Sequence, residues 1–144
     1  MPSGSLPIVC LLLNEVRYLG IDYGEKRIGV AISDEGGSLA FPYKTVPNTV
    51  KKVEVIEKVC RKENIEHIVI GESLTYKGEP NVIMEEIKKF ADIISEKVQV
   101  PVSFHPEILT TQEARRYAPS IYTKVDKEAA AIILQSYLDM HKRK

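Results

Sequence analysis

The run Tyr18-Leu19-Gly20-Ile21-Asp22-Tyr23-Gly24-Glu25-Lys26-Arg27-Ile28-Gly29-Val30-Ala31-Ile32-Ser33 constrains this chain more than any other feature. It reads as two apolar strands joined by a short Gly-containing turn, a hairpin for the interior of a sheet. One carboxylate, Asp22, stands inside the first strand. Burying an unpaired charge costs several kcal/mol, so a core strand tolerates Asp only with compensation. Two kinds are available. A hard divalent cation such as Mg²⁺ or Mn²⁺ is one; backbone N–H groups of residues 24–26, folded back in an Asx-type turn, are the other.

A chain of 144 residues suits one compact domain with a sizeable core. The formal net charge is +0, so no whole-chain field attracts nucleic acid, and any such partner must be held by a local basic patch. Cys10 and Cys60 are too few for a zinc pattern or a disulfide framework, which points to a reducing cytoplasm. The apolar stretch Leu6-Pro7-Ile8-Val9-Cys10-Leu11-Leu12-Leu13 falls well short of the about 20 residues that span a bilayer. It also has neither the basic start nor the small-residue cleavage site of a signal peptide. Residues 1–16 are therefore expected to be an N-terminal extension, with one domain over 17–144 and no membrane partner.

Beyond the hairpin, strands and helices alternate. Residues 40–46 supply a third strand, whose Pro42 suggests an edge or irregular position. Val50, Val53, Ile56, Val59 and Cys60 recur at helical spacing, with Asn48 or Thr49 as the N-cap. Residues 65–71 form a short buried parallel strand. Val82, Ile83, Ile87, Phe90, Ala91 and Ile94 mark a second helix, and residues 100–104 a further strand. Thr110 and Thr111 open a short helix through Tyr117. Asp126 begins the last, where Ala129, Ala130, Ile133, Leu134, Tyr137 and Leu138 make one apolar stripe. The sum is a mixed α/β domain.

Three carboxylates sit where strands end or helices begin: Asp22, Glu107 and Asp126. Converging, they suit a divalent cation that keeps positions open for phosphate and water. Singly, Glu107 also reads as a solvated loop residue and Asp126 as an N-cap. Lys26 and Arg27 flank Asp22 and complement either that carboxylate or a phosphate, or simply solvate the turn. Gly71 and the loop after it offer backbone N–H groups or an ordinary connection. Thr110 and Thr111 either touch a phosphate at a helix N-terminus or cap that helix. Lys77, Arg115, Arg116 and Lys124 are the other cations close to these residues in sequence. His105 reads as structural before it reads as a contact to a leaving group, and His67 and His141 read as surface residues.

Together these segments resemble the YqgF family, bacterial pre-16S rRNA nucleases also described as Holliday-junction resolvase-like proteins. The resemblance rests on the 20–24 and 27–31 hairpin, the 71–78 loop, Glu107 through Thr110-Thr111 with Glu113-Ala114, and Val125-Asp126 followed by Ala129-Ala130 and Ile133-Leu134-Gln135. It implies an RNase H-like fold with a central mixed five-stranded sheet flanked by helices. It also implies catalytic, metal-binding acids at Asp22, Glu107 and Asp126, with Mg²⁺ or Mn²⁺ as cofactor. The implied activity is phosphodiester cleavage linked to pre-16S rRNA, in contact with a ribosomal precursor particle, or to branched DNA. Two departures stand out: Pro106-Glu107-Ile108 where the family usually has Asp-Glu-Arg, and Glu72-Ser73 in place of an apolar-Pro pair. A catalytically silent RNA-binding assembly factor on the same fold is the rival reading. An actin-like ATPase or sugar kinase, whose phosphate loop also carries Gly-Ile-Asp, would need a second domain for which this chain is too short.

Overall fold

A computed structural model describes residues 16–72, 83–106 and 126–141. Five strands, β1 (Tyr18–Tyr23), β2 (Arg27–Ser33), β3 (Ala40–Pro47), β4 (His67–Glu72) and β5 (Val102–Pro106), form one sheet in the order β3-β2-β1-β4-β5. The first three pair antiparallel, whereas β1–β4 and β4–β5 are parallel. Three helices complete the described elements: α1 (Lys52–Lys62), α2 (Met84–Val98) and α3 (Asp126–His141). This is the RNase H-like arrangement of a mixed five-stranded sheet flanked by helices. Among the described residues no helix is long and apolar enough to cross a membrane.

Strand alternation sorts the layers. Leu19, Ile21 and Tyr23 point to one face, where they join Ile28, Val30, Ile68 and Ile70 under Ile56 and Val59 of α1 and Ile87, Phe90 and Ile94 of α2. The opposite face carries Ala31 and Val69 beneath Ala130, Ile133, Leu134, Tyr137 and Leu138 of α3. With both faces covered, β1, β2 and β4 are buried almost throughout, which is why they read as continuous apolar runs. Pro42 lies on the edge strand β3, opposite Ala31 and beside a register irregularity, as a proline without an N–H requires.

Several local expectations are corrected. Val50 is 96% exposed and outside the helix, because α1 starts at Lys52. Neither Asn48 nor Thr49 caps it: the N-cap is Lys51, with no side-chain cap bond, although Thr49 Oγ1 accepts from Lys51 N at 3.3 Å. The last strand runs two residues later than expected, over 102–106. Gln99 ends α2 in the left-handed region, φ 61°, and the Pro101 carbonyl accepts from Ile68 N at 2.9 Å, so ladder pairing begins at Val102. The helix expected over 110–117 lies outside the described residues, as do residues 1–15 of the expected extension.

Candidate active site at the carboxyl edge of the sheet

Because β1, β4 and β5 are parallel, their carboxyl ends share one edge. Asp22 is the penultimate residue of β1, the central strand; Glu72 ends its parallel neighbour β4, and Pro106 ends β5, the next strand out. The course of α3 follows from its contacts. A Cβ built on Gly20 would lie 2.7 Å from Leu134 Cβ and 3.1 Å from Ala130 O. Farther along α3, the Tyr137 ring sits 6.0 Å from Tyr18 and 5.8 Å from His67, at the amino ends of β1 and β4. The helix therefore runs antiparallel to β1. From the Gly20–Ala130 contact, Asp22 lies about 7 Å up the strand and Asp126 about 6 Å back along the helix. Both climb to the same end of the sheet.

Asp22 shares the α3 face with Gly20, two residues before it. Its antiparallel partner on β2 is Gly29. On β4, Ile21 pairs with Ile70, so Gly71 comes next to the level of Asp22. Asp22 is half-buried, and Gly29 and Gly71 are buried. A carboxylate flanked on both neighbouring strands by residues without side chains rises from a bare backbone floor. Such a floor lets a ligand approach the oxygens closely. Gly71 was expected to serve a phosphate through its backbone; Gly29 was not singled out, although its position opposite Asp22 follows from counting back from the turn.

Residues 24–27 close the hairpin beside this carboxylate. Gly24 N donates to Arg27 O at 2.9 Å, and a Cβ at Gly24 would stand 2.6 Å from that same oxygen, so only glycine allows the strands to meet here. Lys26 and Arg27 are exposed. Arg27 is two residues from Gly29 and so faces the same side as Asp22. Glu107, Thr110, Thr111, Arg115, Arg116, Lys77 and Lys124 lie outside the described residues. Among the described residues no group of three or more His, Cys, Asp or Glu side chains is placed to hold a metal ion.

A family model described as "RuvX: Holliday junction resolvase" matches residues 16–140. The chain belongs to the YqgF/RuvX family. Among similar proteins, one from Caldanaerobacter subterraneus subsp. tengcongensis, named "Putative pre-16S rRNA nuclease", is 36% identical over 137 residues, covering 88% of this chain and 99% of that one. Another of the same name, from Syntrophus aciditrophicus, is 40% identical over 133 residues, covering 86% and 89%. In fold, Thermus thermophilus RuvC is similar with a TM-score of 0.57 at 14% identity, over 88% of this chain and 96% of that one. The fowlpox virus Holliday junction resolvase follows with a TM-score of 0.51 at 13% identity, over 87% and 99%.

In this YqgF/RuvX chain the histidines tie the sheet to its last helix, His67 at the amino end of β4 and His105 level with Gly71. His105 is within β5, buried, and shares a 2.9 Å hydrogen bond with Ser136 of α3. It bolts helix to sheet. His67, expected on the surface, is half-buried instead: it meets Ser103 at 2.8 Å, and its ring lies 5.1 Å from that of Tyr18. His141 stays exposed, stacked 4.0 Å from Tyr137. Burial, followed by His141, holds the imidazoles of His67 and His105 below their ordinary pKa, with Glu72 opposing this at His105.

The folded protein thus binds these two protons less readily than the unfolded chain. Their penalty is absent above the unfolded value of about 6.5 and grows as pH falls from there toward the lowered folded values. Tm measured from pH 8 to pH 5 should therefore hold level and then fall below about 6.5. His67→Gln, which keeps a polar partner for Ser103, should make that fall shallower by about one proton's contribution. An identical acid limb in the variant would show that His67 does not titrate across this window.

Proposed function

We propose that the chain is a metal-dependent endonuclease that hydrolyses phosphodiester bonds and processes the 5′ end of pre-16S rRNA. Family membership supports the reaction class, and the placement of Asp22 carries the site. A half-buried carboxylate stands on the central strand over a floor of glycine backbone, and the first turn of α3 arrives at the same edge. Asp22, Glu107 and Asp126 would hold Mg²⁺ or Mn²⁺, since hard carboxylate oxygens suit either ion. What supports this reading is Asp22, whose neighbours on β2 and β4 at its own level are glycines, so no side chain of those strands stands beside the carboxylate. Bound there, a divalent ion supplies an activated water and charge for the leaving oxygen.

The chain's own residues do the rest. Asp22 fixes a negative charge on the central strand of the sheet. Lys26 and Arg27 hold phosphates flanking the scissile bond, and the Gly71 backbone lets the strand approach. Thr110, Thr111, Arg115 and Arg116 extend the contact along the nucleic acid. In this reading residues 17–144 are the nuclease domain and residues 1–16 an extension. The cytoplasm supplies the substrate, on a ribosomal precursor particle.

The test is cleavage of labelled pre-16S rRNA, a Holliday junction and single-stranded RNA by the purified protein. Activity is expected with Mg²⁺ or Mn²⁺, lost in EDTA and restored by either ion. Ca²⁺ should support binding better than turnover, because its variable coordination positions the reacting oxygens poorly. Undiminished cleavage in EDTA would refute the metal reading. Preference for the junction would move the substrate to branched DNA, and metal-independent RNA binding without cleavage would favour the silent assembly factor.

A further inference from the structure

Asn48 is the polar residue of the β3–α1 connection that the helix does not use as a cap. Its side chain crosses instead to the hairpin turn: Nδ2 donates to Gly24 O at 2.8 Å. Its backbone N–H donates to Lys26 O at 2.9 Å. One residue therefore holds two carbonyls of the same turn, on either side of Glu25, while Gly24 N closes the turn onto Arg27 O. The residue next to Asp22, Tyr23, is tied down on the other side through its hydroxyl. That hydroxyl donates to Glu86 in the first turn of α2 at 2.5 Å, and the Tyr23 ring packs 5.1 Å from Phe90.

An exposed turn with charges at 25, 26 and 27 has no local reason to be so thoroughly tied. Solvated turns satisfy their carbonyls with water at little cost, and surface turns are ordinarily the mobile part of a hairpin. Here the carbonyls are pinned to the end of β3, and the adjoining strand end is pinned to α2. A fixed turn holds its cations at a fixed offset from Asp22, on the face that Arg27 and Asp22 share. Ordering that turn before the substrate arrives removes a cost that binding would otherwise carry.

We propose that Asn48 is a positioning residue for the substrate: by holding both sides of the 24–27 turn it sets Lys26 and Arg27 at the spacing from Asp22 that flanking phosphates require. This rests on the nucleic-acid reading above and deepens it, because it assigns the stiffness of the turn to substrate affinity. Asn48 touches no reacting atom. Its effect passes through the backbone of the turn into Arg27.

Binding of fluorescently labelled single-stranded RNA, followed by anisotropy across a salt series with Ca²⁺ present, reads this directly. Asn48→Ala is expected to weaken binding about five- to tenfold at low salt and to lower the salt slope by roughly one unit, as for one lost phosphate contact. In an Arg27→Ala background the same substitution should change Kd less than about twofold, since two steps of one route are not additive. Thr49→Ala, which removes a hydrogen bond of the same connection without touching the turn, should leave Kd unchanged. Asn48→Asp, nearly isosteric but lacking the Nδ2 donor, repeats the measurement if alanine prevents folding.

A purely structural Asn48 would weaken binding equally in both backgrounds, and that result overturns the proposal. So does normal binding by Asn48→Ala where Arg27→Ala is impaired, which leaves the nuclease reading untouched. Unimpaired binding by Arg27→Ala would instead remove the turn from the substrate path and take both placements down.

Discussion

Replacing Asp22 with Asn is expected to abolish metal-dependent cleavage, by about 10³-fold or more, as for other groups that touch reacting atoms, while the protein stays folded. The change is nearly isosteric, and Asp22 is half-buried at the strand end, so the packing beneath it is undisturbed. What disappears is the anionic oxygen at the centre of the edge. If Glu107 and Asp126 crowd the same space, removing one of three like charges also relieves repulsion in the metal-free protein. Thermal unfolding in EDTA should then show Asp22→Asn at least as stable as the parent. With Mn²⁺ the order should reverse, because only the parent gains the stabilisation of a ligand bound to the native state. A variant that still cleaves, or one equally stabilised by Mn²⁺, would remove Asp22 from the centre of the site.

Where the sequence was legible, the deciding interactions were local. The β1–β2 hairpin follows from two apolar runs and a glycine turn. The stripe of α3 follows from residues three and four apart, and each of its six apolar positions is buried. Pro42 announced an edge strand because a missing N–H has few other places to go. Reading failed where a partner lay far along the chain. Asn48 looks like a helix cap until Gly24, 24 residues earlier, is brought beside it. His67 looks solvated until Tyr137 closes over it from another layer. Val100 and Val102 flank Pro101 and serve a strand equally well; pairing of Val102 with Ile68 decides between them.

The site shows the same division. Asp22 stood out as a charge in an apolar strand, a purely local anomaly. Its glycine floor did not, because Gly29 and Gly71 come next to it only through sheet register. Nor did the arrival of the first turn of α3 at the same end of the sheet, which depends on the helix running back along β1. Glu107 was reached from placement and resemblance, and it lies outside the described residues.

The close contact of Gly20 with α3 gives the second large effect: Gly20→Ala should unseat α3 and silence the proposed nuclease together. In an ordinary strand, alanine for glycine stabilises, because glycine loses more chain entropy on folding. At Gly20 the added methyl would stand 2.7 Å from Leu134 Cβ and 3.1 Å from Ala130 O. Both atoms are fixed to the helix backbone, so no side-chain rotation clears them. The whole of α3 must lift or slide, at an overpacking cost of about 1–3 kcal/mol. For a domain of this size that is a fall of roughly 4–12 °C in Tm. Gly20→Val should cost more. In the proposed site, displacement of α3 also carries Asp126 away from Asp22, and an error of about 1 Å between two such groups would be enough for 10²-fold in rate. Cleavage should therefore fall well below the parent even at temperatures where the variant remains folded. That separates it from Asp22→Asn, which is inactive without loss of stability. Full activity in a destabilised Gly20→Ala would show that α3 can move without disturbing catalysis, and would detach Asp126 from the site.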